Sequence, residues 1–411
     1  RTSFEAIGGE PVQKIHDYKE VEFKIEYYDI NNREEKKPQS IIKTFIRPFD
    51  LSRAPLLRVG LIHTPRPLRG NPSQEGSFKD KYIMMFDMHH IITDGISQQV
   101  LTSEFVLLYT GRALSPLKLQ YKDYSEWQNS EEQQKVTKTR EMYWLKQFQG
   151  EVPLLDLPTD YTRPGRLTTV GKRLPFRLEK ELVHKLRPLL SETETTLFML
   201  LLAAYYVLLF IYTRQEDIIV GSPVGGRRHD NLQNIVGMFV NMLTIRNQPQ
   251  SHKTFKEFLN EVKINSLNAF ENQEYQFEEL VDNLNIHRDL SRRPLVETVF
   301  TLQSTFNPGR SKYRHQENGL KVKPYPYEVG NVKFDLTLDA VEVKDSIEMW
   351  WTYAVELFKS TTIDKFKDHY IEILEQAAAN ITVKIKDIKV SHNLVSAGSN
   401  PLQTDRGDFG F

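Results

Sequence analysis

The 411-residue chain carries 54 Lys+Arg against 54 Asp+Glu, is 39% hydrophobic and 26% charged, and has no cysteine. Such a composition belongs to a globular protein of two or three domain-sized units and excludes wholesale disorder and fibrous repeats. Zero net charge offers no electrostatic footprint for nucleic acid or an anionic membrane; zero cysteine excludes disulfides, thiolate metal sites and a cysteine nucleophile.

In chain order, residues 21–30 alternate in part and predict a strand, and 81–88 form a short apolar run of the same kind. Helical periodicity follows at 97–109 and 130–148. Segment 64–78 is rich in Pro, Gly and Ser and reads as a surface insertion. Segment 155–166, with Pro158, Pro164 and Gly165, reads as a crossover between two lobes. Helices are predicted at 179–190 and 195–212, a strand at 218–224, a helix at 254–269, strands at 299–303 and 334–343, and a helix at 362–380. Strands separated by helices of this length predict an α/β protein. The longest apolar run, 197–212, is shorter than the ~20 residues a bilayer requires and reads as a buried helix started by the hydroxyls of SETETT at 191–196. From 391 the composition turns to Gly, Ser, Asn, Pro and Asp, a tail or interdomain linker. The expected division is therefore 1–154, 155–390 and 391–411.

The densest polar cluster is MHHIITDGIS at 88–97, a strand-to-loop-to-helix corner. A His at a strand end is a suitable general base, and Gly95 leaves a backbone N–H accessible. On extended backbone His89 and His90 point to opposite faces, which disfavours a metal site made from both imidazoles and Asp94. No Gly-x-Ser-x-Gly elbow occurs, and the glycines at 221–226 have the wrong spacing for a phosphate loop.

This cluster resembles the HHxxxDG signature of condensation domains from nonribosomal peptide synthetases. Further blocks of that family follow in order. YKDYSEW (121–127) is similar to YxDFAVW, VGMFVNMLTIR (236–246) to GxFVNTL, NQEYQFE (272–278) to NQDYPFE, and RDLSRRPL (288–295) to RDxSRNPL. The opening RTSF is similar to the end of RHExLRTxF. The resemblance implies two chloramphenicol-acetyltransferase-like lobes in a V with a tunnel between them. It implies a cytoplasmic enzyme that joins a donor acyl thioester to the amine of an acceptor aminoacyl thioester. The phosphopantetheine arms arrive on upstream and downstream peptidyl carrier domains, a following adenylation domain is expected, and the chain has no metal or cofactor of its own.

Residue by residue, the resemblance implies that His90 is catalytic, that Gly95 lends its N–H to the developing oxyanion, and that His89 and Asp94 are structural. Asp94 is expected to pair with an arginine: one just upstream of Arg1, or else Arg1 or Arg288. Trp144, Arg288, Asn241 and Ser97 are the candidates near the substrate, although Asn241 suits a structural pin better than a substrate contact, and Arg288 equally suits a pair with Asp289 or a nearby Glu. The family also begins with a segment that precedes Arg1, so the chain is expected to be a fragment that is poorly stable alone. Two other readings share the motif. One is an epimerisation domain, which carries Ser-Trp where this chain has Ser97-Gln98. The other is a non-catalytic docking platform, against which the intact His90, Asp94 and Gly95 argue.

Overall fold

The computed structural model describes residues 1–30, 37–64, 81–286, 289–303, 325 and 330–391. The described residues form two compact units, the first built from Arg1–Gln128, Arg227–Phe239 and Tyr325, the second from Asn129–Gly226, 240–303 and 330–391. The expected boundary at 154 thus moves back to 128, and a short return segment joins the first unit.

In the first unit, β1 (Thr2–Ile7) and β2 (Glu10–Ile15) form an antiparallel hairpin. β3 (Ile25–Asp29) runs parallel to β4 (Leu57–Thr64), which pairs antiparallel with β5 (Lys81–Met88). One face of this three-stranded sheet is covered by α1 (Pro38–Phe45), whose Ile41, Ile42 and Phe45 pack on Ile62 and Met85. A Cβ on Gly60 would lie 2.8 Å from the Phe45 ring, so glycine is what lets α1 approach β4 so closely. After β5 come α2 (Gly95–Tyr109) and α3 (Tyr121–Gln128). The predicted insertion at 64–78 lies outside the described residues except for Thr64, which ends β4.

The second unit opens with α4 (Glu131–Gln147), which the sequence had placed in the first lobe. Its inward residues decide the matter. Gln133 donates to Glu274, Arg140 pairs with Glu274, and Trp144 Nε1 donates to the carbonyl of Asn272 at 3.0 Å. The rest comprises β6 (Gly171–Leu178), α5 (Lys180–Thr193), α6 (Leu197–Thr213), β7 (Ile218–Val224), β8 (Asn241–Asn247), α7 (Phe255–Glu271), α8 (Phe277–Asn283), β9 (Thr298–Gln303), β10 (Leu336–Val343), β11 (Ser346–Ala354) and α9 (Ser360–Ala379). The sheet order is β6-β11-β10-β9-β7-β8, with β9 parallel to its two neighbours and the other pairs antiparallel.

Alternation explains which face of that sheet is buried. Ile347, Met349, Trp351 and Tyr353 of β11 point into the core, while Glu348 on the opposite face pairs with Arg177 of β6. Helix α6 packs against α7, α9, β7 and β9, so it is apolar all round and buried from Met199 to Tyr212. Thr196 caps it by accepting from Met199 N. Upstream, α5 continues through Ser191–Thr193, part of the stretch read as a cap, and ends where Glu194 turns left-handed at φ 52°. Among the described residues no single helix is long and apolar enough to cross a membrane.

Segment 155–166 runs along the second unit and crosses nothing. Asp160 accepts from Lys359 N and Thr362 Oγ1 at the start of α9, and Arg163 pairs with Asp335. The predicted tail from 392 lies outside the described residues.

Candidate active site

Strand β5 ends at Met88, and the chain turns at once. His89 is still extended (φ −67°, ψ 135°), but His90 opens a single 3-10 turn, His90–Ile92. Strand alternation therefore stops at His89, which caps the turn that His90 opens. His89 accepts from Ile91 N through Nδ1 at 3.2 Å, which leaves its ring proton on Nε2, and Phe49 meets the ring edge-on. His90 is exposed. No group of three His, Cys, Asp or Glu capable of holding a metal occurs among the described residues.

Asp94 caps α2. Its Oδ1 accepts from Ser97 N at 2.7 Å, a short charge-assisted bond at a helix N-terminus. Its partner is Arg227, whose Nη2 donates to both carboxylate oxygens at 2.9 and 3.0 Å. The two side chains are 0% and 1% exposed. This corrects the expected partners: Arg1 instead donates to His16 O at the surface, and Arg288 lies outside the described residues. The sequence offered one faint signal, a pair of arginines directly after Gly225-Gly226 at a strand end. Nothing local could have matched it to a carboxylate 133 positions earlier.

Both terminal nitrogens of the Arg227 guanidinium are bonded, while its buried Nε has no hydrogen-bond partner among the described residues. Nη1 donates to the carbonyls of Leu232 and Ile235 at 2.7 and 2.6 Å, Nη2 also reaches Ser97 Oγ, and the guanidinium stacks 4.0 Å over the Phe239 ring. Phe239 N donates to Asp94 Oδ2. Leu232, Ile235 and Phe239 form a small apolar cluster with Tyr121 and Tyr124 of α3. Burial first, and the Asp94 charge second, push the Tyr121 phenol up, so it remains a donor and bonds Met238 O at 2.7 Å.

Gly95 starts α2 in a conformation open to any residue, and a Cβ there would meet nothing within 4 Å. Neither backbone strain nor packing within the chain calls for glycine. As the first helical residue its N–H has no intrahelical acceptor. Ser97 is fully buried in the Asp94–Arg227 network, so it is no surface for a substrate. Trp144 is 3% exposed, within the core of the second unit. Asn241 is a pin: its amide donates to the carbonyls of Gln273 and Tyr275, and its oxygen accepts from Phe277 N.

A family model for the condensation domain matches residues 1–394. The chain belongs to the condensation-domain family. It is 46% identical over 390 residues to gramicidin S synthase 2 of Brevibacillus brevis, covering 94% of this chain and 8% of that protein. Tyrocidine synthase 3 of Brevibacillus parabrevis is 46% identical over 391 residues, covering 94% of this chain and 6% of that one. The chain thus spans under a tenth of the length of these relatives. In fold it matches a four-domain nonribosomal peptide synthetase bound to AMP and glycine (TM-score 0.79, 22% identity, 95% of this chain and 29% of that one). The X-domain from teicoplanin biosynthesis matches with TM-score 0.79 at 20% identity, covering 95% and 86%. An epimerization domain of tyrocidine synthetase B gives 0.66 at 17%, covering 92% and 86%. Condensation domains are amide-forming acyltransferases of nonribosomal peptide synthesis, and their two-lobed α/β architecture is the fold class of this chain.

Proposed function

We propose that this chain joins a donor acyl or peptidyl thioester to the amine of an acceptor aminoacyl thioester, each delivered on the phosphopantetheine arm of a carrier domain, with an adenylation domain following in the same assembly line. The observation that carries this reading is the corner at 88–97: an exposed imidazole, His90, stands one 3-10 turn before a glycine whose N–H has no partner within its helix.

The chemistry needs little more. The acceptor amine attacks the thioester carbon, the C–S bond breaks, and the donor arm leaves as a thiol. His90 takes the proton the nitrogen sheds and returns it to the departing sulfur, a service worth about 10²–10⁴-fold. The oxyanion formed on the way finds the Gly95 N–H at the positive end of a 15-residue helix. Glycine suits that place because a substrate must approach where a Cβ would stand. Holding two arms end to end contributes about 7–11 kcal/mol of the barrier reduction.

The test is direct. Purified carriers are loaded with donor and acceptor, mixed with the protein, and read by intact mass spectrometry. Transfer of the donor mass to the acceptor carrier supports the reading. An inverted donor with no amide would establish epimerisation, and binding of carriers without turnover would establish a docking platform.

A further inference from the structure

We propose that Ser97 is a positioning residue for condensation: its hydroxyl locks the first turn of α2 to the segment Arg227–Phe239 and so fixes the Gly95 N–H before substrate arrives. The inference rests on the condensation reading and deepens it. A hydroxyl offers one donor and two acceptor sites. Ser97 uses all three: Oγ donates to Gly237 O at 2.9 Å and accepts from Gly237 N at 3.0 Å and from Arg227 Nη2 at 2.9 Å. No bonding capacity is left for a ligand, so the role of Ser97 in the reaction acts through what it holds.

It holds both sides. On one, Ser97 stands two residues after Gly95, and its own N–H is bound by Asp94. On the other, Gly237 is pressed between α2 and α3: a Cβ there would stand 2.0 Å from the Tyr121 ring, and the Tyr121 hydroxyl bonds the next carbonyl, Met238 O. Glycine at 237 lets the segment come close enough for both its N–H and its C=O to reach one serine oxygen. Gly95, by contrast, faces open space. Its donor is held in place by the residues behind it.

Asp94 and Ser97 divide the work. Removing the carboxylate strands a buried cation, whereas removing the Ser97 hydroxyl leaves the ion pair intact. Ser97→Ala therefore separates placement of the oxyanion donor from stability of the fold.

The experiment compares wild type with Ser97→Ala, and with Ser97→Cys as a shape-preserving variant with only a weak donor and acceptor. Turnover is measured with saturating preloaded carriers, beside the glycine-¹⁵N spectrum of each protein. Expected for Ser97→Ala is a kcat lower by about 10–100-fold, the effect of misplacing one oxyanion donor, with KM for both carriers unchanged. Ser97→Cys should be intermediate, and the Gly95 amide signal should shift and broaden in both. Wild-type kcat in Ser97→Ala, a kcat loss no larger than its unfolded fraction, or an unmoved Gly95 signal would overturn the proposal. A wild-type protein that makes no amide refutes the condensation reading instead, and the Gly95 signal then still decides whether Ser97 holds that amide.

Discussion

The two units are stabilised by different physics. In the second, α6 is buried from Met199 to Tyr212 among the aromatic rings and aliphatic chains of α7, α9 and the sheet, and Trp351 is ringed by Tyr205, Phe366 and Tyr370. Its stability comes from apolar area removed from water, which is non-directional and tolerant of detail. In the first, the cluster beneath α1 is Ile41, Ile42, Phe45, Ile62 and Met85, while Ile25, Tyr27, Tyr82 and Phe86 on the other face of the same sheet are exposed. What holds the corner at 88–97 there is polar and directional: Asp94, Arg227, Ser97 and the amides of residues 237 and 239. The region proposed to carry the chemistry rests on the more fragile kind of support.

The largest effect should come from breaking that support. Asp94→Ala leaves Arg227 buried without a counter-charge, a loss of about 3–5 kcal/mol. We expect a denaturant profile in which the first unit unfolds early and the second keeps its transition. Trp351→Ala carries a similar nominal loss of about 3–5 kcal/mol but falls in the large core. It should lower only the later transition and leave the corner at 88–97 intact at 25 °C. Equal responses of the two transitions to both substitutions would dissolve the distinction between the units.

The contrast also explains what could be read from the chain. Segment 197–212 was legible because burial on all sides writes itself as an unbroken apolar run. The corner at 88–97 was legible because strand end, turn and helix start are local. Arg227 was not, because an ion pair closed across 133 residues leaves no periodic trace. The assignment of α4 to the second unit was hidden for the same reason, resting on Gln133, Arg140 and Trp144 meeting residues 272–274. Ser97 and Gly237 look like ordinary members of two separate blocks until Tyr121 is seen to leave no room for a side chain at 237. Strand β11 was missed although its alternation of Ile347, Met349, Trp351 and Tyr353 was present to be read.

The smallest effect sharpens the account of the second unit. Asp339, on β10, accepts from Thr301, and burial, the dominant cause, raises its carboxyl above the usual range. A carboxyl raised in the folded state binds its proton more tightly there than in the unfolded chain. Its contribution is therefore full below the unfolded value and is lost as pH rises through the folded one. Asp339→Asn should flatten that part of the stability–pH curve and leave the protein relatively more stable at the alkaline end. An unchanged slope in urea titrations across the acid-to-neutral range would show that Asp339 titrates alike in the folded and unfolded protein, contrary to the upward shift.

The central claim is that His90, exposed on a turn braced by the buried Asp94–Arg227 pair, is where the amide bond forms. The measurement that tests it most directly is the rate of amide formation by His90→Ala with both carriers preloaded, beside its melting curve and those of His89→Ala. The account predicts a rate for His90→Ala lower by 10²–10⁴-fold with unchanged melting, and for His89→Ala a loss mainly of stability, since its ring braces Ile91 N and Phe49. A His90→Ala protein that condenses at the wild-type rate, or equal rate losses in the two variants with neither melting curve moved, would contradict it.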